Sequence, residues 1–280
     1  MAVITISRQV AALGDEIAAS LAEKLGYRFV NRKQIEKRIV ELGFPAQKLP
    51  KYDERKPGFL ASLTKDSDEY LNYLQYAVIE AASEGNCILI GRGTFIILDE
   101  LPNLVSLRLI SNDDVRVSRL QKEFDWNEKQ AKNRIQESDT NRKGFHRSFF
   151  NLENEDPQNF QLTLNTARMS INDAVKVIEC FVKQSVTPEK EASGKIKIDL
   201  MLKSQELVNQ LLFDYKININ FLAATVDPSP NENGEYVLHL HGVADSKATC
   251  DKAFEIAVKL MPALQVKSEL TVVQGYKTYQ

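Results

Sequence analysis

The chain has 280 residues, of which 43% are hydrophobic and 26% are charged, and its formal net charge is −2. This balance is typical of a globular protein with one large or two smaller domains, and it excludes the strongly basic footprint of a general nucleic-acid binder. No apolar run approaches the ~18 residues of a membrane-spanning helix, and no cleavable leader precedes the first β-rich run, so we expect a cytoplasmic protein without a membrane span.

The first 27 residues predict a strand, a loop and a helix. Residues 2–6 are β-rich, and after a loop at 7–15 the apolar residues recur at helical spacing until Gly26. Such a loop is where P-loop proteins hold phosphates, using glycines for close backbone approach, a lysine for the β- and γ-phosphates and a Ser or Thr for Mg²⁺. This loop has one glycine, Gly14, no lysine, and the carboxylate of Asp15 at the helix start.

Strand-like and helix-like segments then alternate, which predicts a parallel α/β sheet with flanking helices. We expect helices at about 68–84, 113–120, 127–137 and 171–182, and strands at 87–90, 105–110 and 162–164. Residues 45–57 contain three prolines and many charges, which predicts a loop or an insertion.

The pattern restarts in the C-terminal part of the chain. Residues 185–194 are polar and predict a linker. Beyond them we expect an alternating strand-like segment at 195–202, helices at 204–215 and 246–261, and strands at 217–226, 236–241 and 266–273. These elements predict a small α+β domain, a sheet with helices on one face.

An arginine between two glycines follows the predicted strand at 87–90, as Gly91-Arg92-Gly93. The carboxyl end of a parallel strand is where ligands bind in open α/β sheets, and a guanidinium can hold a phosphate with two hydrogen bonds. A tight turn with a solvated arginine is the alternative interpretation.

Further arginines follow along the chain, at Arg116, Arg119, Arg134 and Arg142. Arg116 and Arg119 are three residues apart and share a helix face. Asp139 lies three residues before Arg142 and could orient its guanidinium, although each of these groups alone is typical of a solvated surface.

The order and spacing of these features resemble the cytidylate kinases, and more closely the cytidylate-kinase-like branch of the P-loop nucleoside monophosphate kinases, over residues 2–183. The resemblance rests on these segments: Ile4-Thr5-Ile6-Ser7-Arg8-Gln9, Glu16-Ile17-Ala18, Leu21-Ala22-Glu23-Lys24-Leu25-Gly26, Gly91-Arg92-Gly93, Arg116 with Arg119, Asp139 with Arg142, Leu164-Asn165-Thr166 and Met169-Ser170.

The resemblance implies the P-loop nucleoside monophosphate kinase fold, an α/β parallel sheet with flanking helices. It implies that Arg92 and Arg142 engage substrate phosphates and that Arg116 and Arg119 close over ATP. The implied reaction transfers the γ-phosphoryl group of Mg-ATP to a pyrimidine nucleoside monophosphate, through positioning and charge neutralisation.

The loop after the first strand departs from the family pattern. Gly14 and Asp15 stand where true cytidylate kinases have Lys-Ser, and residues 11–15 replace the Gly-Ser-Gly-Gly-Arg common in the branch. Leu13 adds bulk and Asp15 adds negative charge where the triphosphate would lie. We expect a loss on the order of several kcal/mol of transition-state stabilisation, with Arg8 the remaining cation of the loop. Asn31 also stands where the branch more often has an aspartate.

The C-terminal region resembles the BON domain, a small αββαβ module. The similarity lies in residues 237–245, in a helix with Ala253 and Ala257, and in residues 264–272. BON modules are associated with binding to membranes or partners, and here the resemblance implies a protein partner or a ligand. His239 and His241 fall on one strand face, but without a third ligand they favour ordinary sheet residues.

Three cysteines, Cys87, Cys180 and Cys250, lie far apart without C-x-x-C spacing. This pattern indicates neither a disulfide framework nor a zinc site, and it favours buried reduced thiols. We therefore predict no metal site.

Our leading hypothesis has a kinase-like domain at 1–184, a linker at 185–194 and a BON-like domain at 195–280. The protein would have lost, or nearly lost, phosphoryl transfer, and it would act as a nucleotide sensor or scaffold with no certain cofactor. It would bind a nucleoside monophosphate or another small anion through these residues: Arg8, Gly14, Gly91, Arg92, Gly93 and Arg142. The BON-like domain would contact a protein partner.

Two alternatives remain open at this point. One is an active nucleoside monophosphate kinase with a non-standard loop, which uses Mg-ATP and these residues: Arg8, Arg116, Arg119, Asp139 and Arg142. The other is an assembly protein that forms a homo-oligomer and binds no nucleotide.

Overall fold

A parallel sheet of five strands organises the first of the two units into which the chain divides, Met1–Lys195 and Ile196–Gln280. The strands are β1 (Val3–Arg8), β2 (Arg28–Val30), β3 (Cys87–Ile90), β4 (Leu104–Ile110) and β5 (Leu162–Asn165), and their spatial order is β2-β3-β1-β4-β5. The structure is a computed structural model that describes residues 1–52 and 65–273. Because the strands are parallel, their carboxyl ends meet at one edge of the sheet, where α/β proteins bind ligands.

Helices flank the sheet, and those predicted at 68–84, 113–120, 127–137 and 171–182 are present, whereas the elements at 28–30, 32–41 and 94–97 were not predicted. The helices are α1 (Gly14–Leu25), α2 (Arg32–Glu41), α3 (Lys65–Ser83), α4 (Thr94–Ile97), α5 (Asp113–Phe124), α6 (Glu128–Phe150) and α7 (Ile171–Ser185). Ile4 and Ile6 of β1 pack with Leu21 of α1 and Ile178 of α7, and all four side chains are buried. Burial of this apolar surface is the main force that holds the sheet and helices together.

Two helix termini follow directly from local sequence. Gly26 ends α1 in the left-handed conformation, with φ of 67°, which glycine adopts without steric cost. Asn31, the residue that departs from the family pattern, caps α2 in a reciprocal capping box with Gln34.

Two sequence-based boundaries need correction or lie outside the structure. Helix α6 continues to Phe150, beyond the predicted end at 137, so Asp139 and Arg142 lie on a helix. Of the predicted loop at 45–57, residues Ala46–Lys51 form a 3₁₀ helix, and the positions from 53 onward lie outside the described residues.

The predicted linker at 185–194 is helical from residue 188, because helix α8 spans Pro188–Asn209. The strand-like alternation at 195–202 also lies within this helix, so the prediction of an extended chain there is wrong, and the assignment of 185–194 as a linker stays a prediction. Thr187 accepts from the Lys190 amide, and Pro188 occupies the first helical turn, where its missing N–H has no cost. The segment that suggested a linker contains the run Glu189-Lys190-Glu191-Ala192, whose members are strong helix formers.

The second unit is a three-stranded sheet with helices packed against one face. Strands β6 (Ile219–Val226) and β7 (Val237–Ala244) are antiparallel, helix α9 (Lys247–Leu260) follows, and β8 (Gln265–Val272) lies parallel to β7. Apolar residues of α8, α9 and the strands form one cluster, including Leu207, Leu238 and Ala253. The helix-strand-strand-helix-strand order is the order that the BON resemblance implies, and the BON assignment itself stays a prediction.

Among residues 1–52 and 65–273, no helix has the length and apolar character needed to cross a membrane. Within the same residues, no group of three or more His, Cys, Asp and Glu side chains is placed to hold a metal ion.

Candidate functional site

Side chains from other elements donate hydrogen bonds to three consecutive carbonyl groups of the loop between β1 and α1. The Val10 carbonyl accepts a hydrogen bond from Arg116 Nε at 3.0 Å, and the Ala11 carbonyl accepts one from Arg119 Nη1 at 2.9 Å. The Ala12 carbonyl accepts one from Thr166 Oγ1 at 3.1 Å. The loop is therefore fixed by two side chains of α5 and by Thr166, the residue that follows β5.

Arg116 is buried and is bound by two carboxylates. Its Nη2 donates to both carboxylate oxygens of Asp139 on α6, and its Nη1 donates to Asp113 at 3.0 Å. Together with the hydrogen bond to the Val10 carbonyl, these contacts connect α5, α6 and the loop through one guanidinium group. Asp139, which the sequence suggested as the partner of Arg142, is a partner of Arg116.

Arg119 also uses its guanidinium group for hydrogen bonds within the protein. In addition to the loop carbonyl, it donates to the Thr166 carbonyl at 2.7 Å and to Thr166 Oγ1 at 3.2 Å. Burial lowers the pKa of Arg119, and the nearby Glu16 carboxylate opposes this shift. The two arginines expected to close over ATP therefore hold the loop in this structure.

Arg8 supplies a positive charge at the start of α1. A Cβ atom built on Gly14 would lie 2.5 Å from Arg8 Cγ, so the arginine side chain lies directly across this glycine. Arg8 Nη2 lies 3.6 Å from Asp15 Oδ2. A cation from the end of β1 and a carboxylate from the first turn of α1 are thus close together at this end of the loop.

A small cleft lies at the carboxyl edge of the sheet, and we call it the Arg8 cleft. It is lined by Ile6, Ser7, Arg8, Gly91, Gly93, Phe95, Arg142 and His146. It brings together four of the predicted anion-binding residues: Arg8, Gly91, Gly93 and Arg142. Among the described residues that line it, none carries a carboxylate, so its charged walls are positive. Its cavity of about 10 Å³ has room for one water molecule.

Arg92 has a different position from the one expected. Its guanidinium is buried, ion-paired with Glu36, donates to the Tyr52 carbonyl at 2.8 Å, and lies over the Phe145 ring at 5.5 Å from its centroid. The turn is left-handed at Arg92, with φ of 55°, which directs the side chain away from the lining of the Arg8 cleft. This arginine joins α2, the chain at Tyr52 and α6.

Gly93 permits a close approach of α6 to the turn after β3. Its φ is 69°, and a Cβ atom there would lie 2.5 Å from the ring of Phe150. Gly93 thus allows α6 to pack closely against the turn, and it also lines the cleft.

Sequence reasoning missed two polar residues of the cleft and one beneath it. His146 accompanies Arg142 on α6, and its Nδ1 lies 2.7 Å from the Arg142 carbonyl. A carbonyl only accepts, so Nδ1 carries the proton. Ser7 lines the cleft from β1, and Arg108 of β4 donates to its hydroxyl at 3.2 Å. The spacing of four between Arg142 and His146 is the one signal that could have indicated a shared helix face.

A parallel sheet with this strand order, and with a strand-loop-helix unit at its centre, defines the class of P-loop kinase folds. Residues 3–168 match the family model described as Cytidylate kinase-like family. The chain belongs to the cytidylate kinase-like family.

Solved structures give likenesses at low sequence identity. An uncharacterized protein from Eubacterium ventriosum is 18% identical with a TM-score of 0.54, over 65% of this chain and 98% of that chain. A shikimate kinase from Bacteroides thetaiotaomicron is 14% identical with a TM-score of 0.41, over 65% of this chain and 98% of that chain. A sugar kinase from Janibacter is 14% identical with a TM-score of 0.42, over 68% of this chain and 98% of that chain. No curated protein matches the sequence significantly.

Proposed function

We propose that this protein binds a nucleoside monophosphate, or a related small phosphorylated anion, in the Arg8 cleft without transferring a phosphoryl group from ATP. It would act as a sensor or scaffold, and its C-terminal unit would contact a protein partner. The observation that carries the proposal is that Arg116 and Arg119 donate hydrogen bonds to the carbonyl groups of the loop.

The charged groups at the loop support the proposal that no phosphoryl group is transferred from ATP. Phosphoryl transfer depends on cations that neutralise the developing charge on the phosphates. Arg116 is already neutralised by Asp113 and Asp139, and Asp15 lies beside Arg8. A triphosphate at the loop would have to displace these carboxylates, and Leu13 would reduce the space for it.

The composition of the cleft supports binding of a monophosphate. Arg8 and Arg142 are on different elements, β1 and α6, so one anion between them would join the two. Gly91 is half-buried and has no side chain, so it lets a ligand approach the backbone at the same edge. The cleft must widen to admit more than a water-sized group, and we expect α6 to move when ligand binds.

An active kinase with a non-standard loop is the second candidate. It is favoured by the position of Arg8, whose side chain crosses Gly14 at the start of α1. In that case Arg8 would replace the loop lysine, and Mg-ATP would be the cofactor.

The test is a thermal-shift and calorimetry panel with CMP, dCMP, UMP, AMP, ATP and Mg-ATP, followed by an assay of ADP release. Our proposal expects stabilisation by a monophosphate and no ADP release above buffer. Arg142→Ala should abolish the shift, and Arg134→Ala, on the same helix but outside the lining of the cleft, is the matched control.

Stabilisation by Mg-ATP together with ADP release, both lost in Arg8→Ala, would establish the kinase instead. A flat panel with a stable oligomer would support the assembly alternative.

A further inference from the structure

The hydroxyl group of Ser7 lies between the Arg8 cleft and a buried cation. Ser7 precedes Arg8 on β1, lines the cleft, and has a relative exposure of 7%. Behind it, Arg108 is its register partner on β4 and donates from Nη1 to Ser7 Oγ at 3.2 Å. Arg108 is 4% exposed, so the contact is shielded from solvent.

The direction of this hydrogen bond determines what the hydroxyl can do. A guanidinium has donors and no acceptor, so Ser7 Oγ must accept from Arg108. A hydroxyl has one proton of its own, and that proton remains for another acceptor. Among the described residues, no hydrogen bond has Ser7 Oγ as its donor. The proton is therefore available to a group in the cleft.

Arg108 is held in one position by several contacts. It also donates to the Asn154 carbonyl, and its guanidinium lies 5.6 Å from the centroid of the Phe160 ring. Burial lowers the pKa of Arg108, and the charges of Glu155 and Asp139 oppose this shift while Arg116 adds to it. An arginine stays protonated in proteins, so a fixed positive charge lies behind Ser7.

We propose that Ser7 donates a hydrogen bond to the phosphate group of the ligand in the Arg8 cleft. Arg108 is a positioning residue in this proposal, because it occupies an acceptor site of Ser7 and so directs the hydroxyl proton toward the ligand. The inference rests on the proposed function, and it names the phosphate monoester group as the part of the ligand that is recognised. Ser7, Arg8 and Arg142 would then bind one phosphate from two sides.

The test is a double-mutant cycle on the full chain, with the dissociation constants of CMP and inorganic phosphate measured by calorimetry. Loss of one hydrogen bond to a charged group should weaken phosphate binding about tenfold in Ser7→Ala. Arg108→Met alone should weaken phosphate binding by about the same factor. When Arg108→Met is added to Ser7→Ala, the dissociation constant should rise by less than about twofold further, because the effect of Arg108 on binding passes through Ser7.

Two variants control for folding and for the loss of the hydroxyl. Ser7→Thr keeps the donor and should keep phosphate affinity within about twofold of wild type. Thr5→Ala removes a buried hydroxyl two residues earlier on the same strand and should leave affinity unchanged. If Arg108→Met fails to fold, the comparison of Ser7→Ala with Ser7→Thr still decides the role of Ser7.

Each other outcome has a defined meaning. Unchanged affinity in Ser7→Ala, or equal losses from Arg108→Met in both backgrounds, would overturn the inference while leaving the proposed function intact. Binding of phosphate with the expected coupling, but without any preference for nucleotides, would overturn the nucleotide proposal and support the inference. No binding of phosphate or CMP would overturn both.

Discussion

Arg116 donates to both carboxylate oxygens of Asp139, at 2.9 Å to Oδ1 and 2.8 Å to Oδ2. This pair joins α5 to α6, and the same guanidinium holds the Val10 carbonyl of the loop. The two residues thus help to hold the loop, although both were singled out from the sequence as candidates for chemistry.

Removal of Asp139 should destabilise the first unit. Arg116 is 1% exposed, so Asp139→Ala leaves a buried charge whose remaining carboxylate partner among the described residues is the exposed Asp113, and we expect a loss of about 3 kcal/mol. Urea unfolding measures this loss. Glu137→Ala, which breaks an exposed pair on the same helix, should cost less than about 1 kcal/mol. Equal effects of the two variants would contradict the structural role of Asp139.

Gly14→Ala should destabilise the protein although alanine is the better helix former. The intrinsic preference favours alanine by about 1 kcal/mol. A Cβ atom at residue 14, however, would lie 2.5 Å from Arg8 Cγ and 2.8 Å from Arg8 Cβ. Overpacking of this kind costs about 1–3 kcal/mol, so the net change in unfolding free energy should be unfavourable.

The Arg8→Ala background tests that explanation. Arg8→Ala removes Cγ of residue 8 and keeps its Cβ. The loss of unfolding free energy caused by Gly14→Ala should therefore become smaller in this background but should not vanish. A cost that is the same in both backgrounds would show that the contact with Arg8 is not its cause.

The second unit should lose stability as the pH rises through the pKa of His239. The ring lies 2.6 Å from Glu269 and 3.2 Å from Asp227, and its pKa is raised chiefly by the hydrogen bond to Glu269. A raised pKa means that the folded state favours the protonated ring. The stabilisation is therefore complete below the ordinary pKa of histidine and is lost above the raised one.

An NMR titration of the imidazole resonances of the full chain measures this pKa. Glu269→Gln should lower the pKa of His239 toward its ordinary value, whereas Glu255→Gln on α9 should leave it unchanged. A His239 pKa at or below the ordinary value in the wild type would contradict the prediction.

Alkylation should distinguish the three cysteines. Burial raises the pKa of the Cys87 thiol to about 12, and Cys250 is also buried, whereas Cys180 is exposed on α7. The thiolate is the reactive form, so iodoacetamide at neutral pH should label Cys180 first. Mass spectrometry of the peptides measures this order, and early labelling of Cys87 would indicate local opening of β3.

The alternating pattern of the first unit was predictable because its strands are short and buried and its helices end at strong local signals. Gly26 and the Cys87–Ile90 strand are examples, since each depends on residues adjacent in sequence. Helix α8 was missed for a related reason. Its N-terminal half is polar, and exposed polar residues with high helix propensity have the same composition as a linker.

The partners of the candidate site could not be read from the sequence. Arg116, Arg119 and Arg92 were identifiable as arginines in a suggestive order, but each is bound by groups far away along the chain. Arg108 and Ser7 are separated by 101 positions and meet only because β1 and β4 are neighbours. Long-range contacts of this kind depend on sheet order and register, which a local pattern does not contain.

The hydrogen bonds that Arg116, Arg119 and Thr166 donate to the three loop carbonyls also determine where the amide hydrogens of the loop point. In a planar trans peptide the C=O and N–H groups are antiparallel, so the amides of Ala11 and Leu13 point away from Arg116 and Thr166. The positive ends of those peptide dipoles therefore face the opposite side of the loop, as they do in backbone concavities that attract anions. The loop has no lysine, yet the same contacts that occupy its carbonyl groups leave the amides of Ala11 and Leu13 oriented toward its other side.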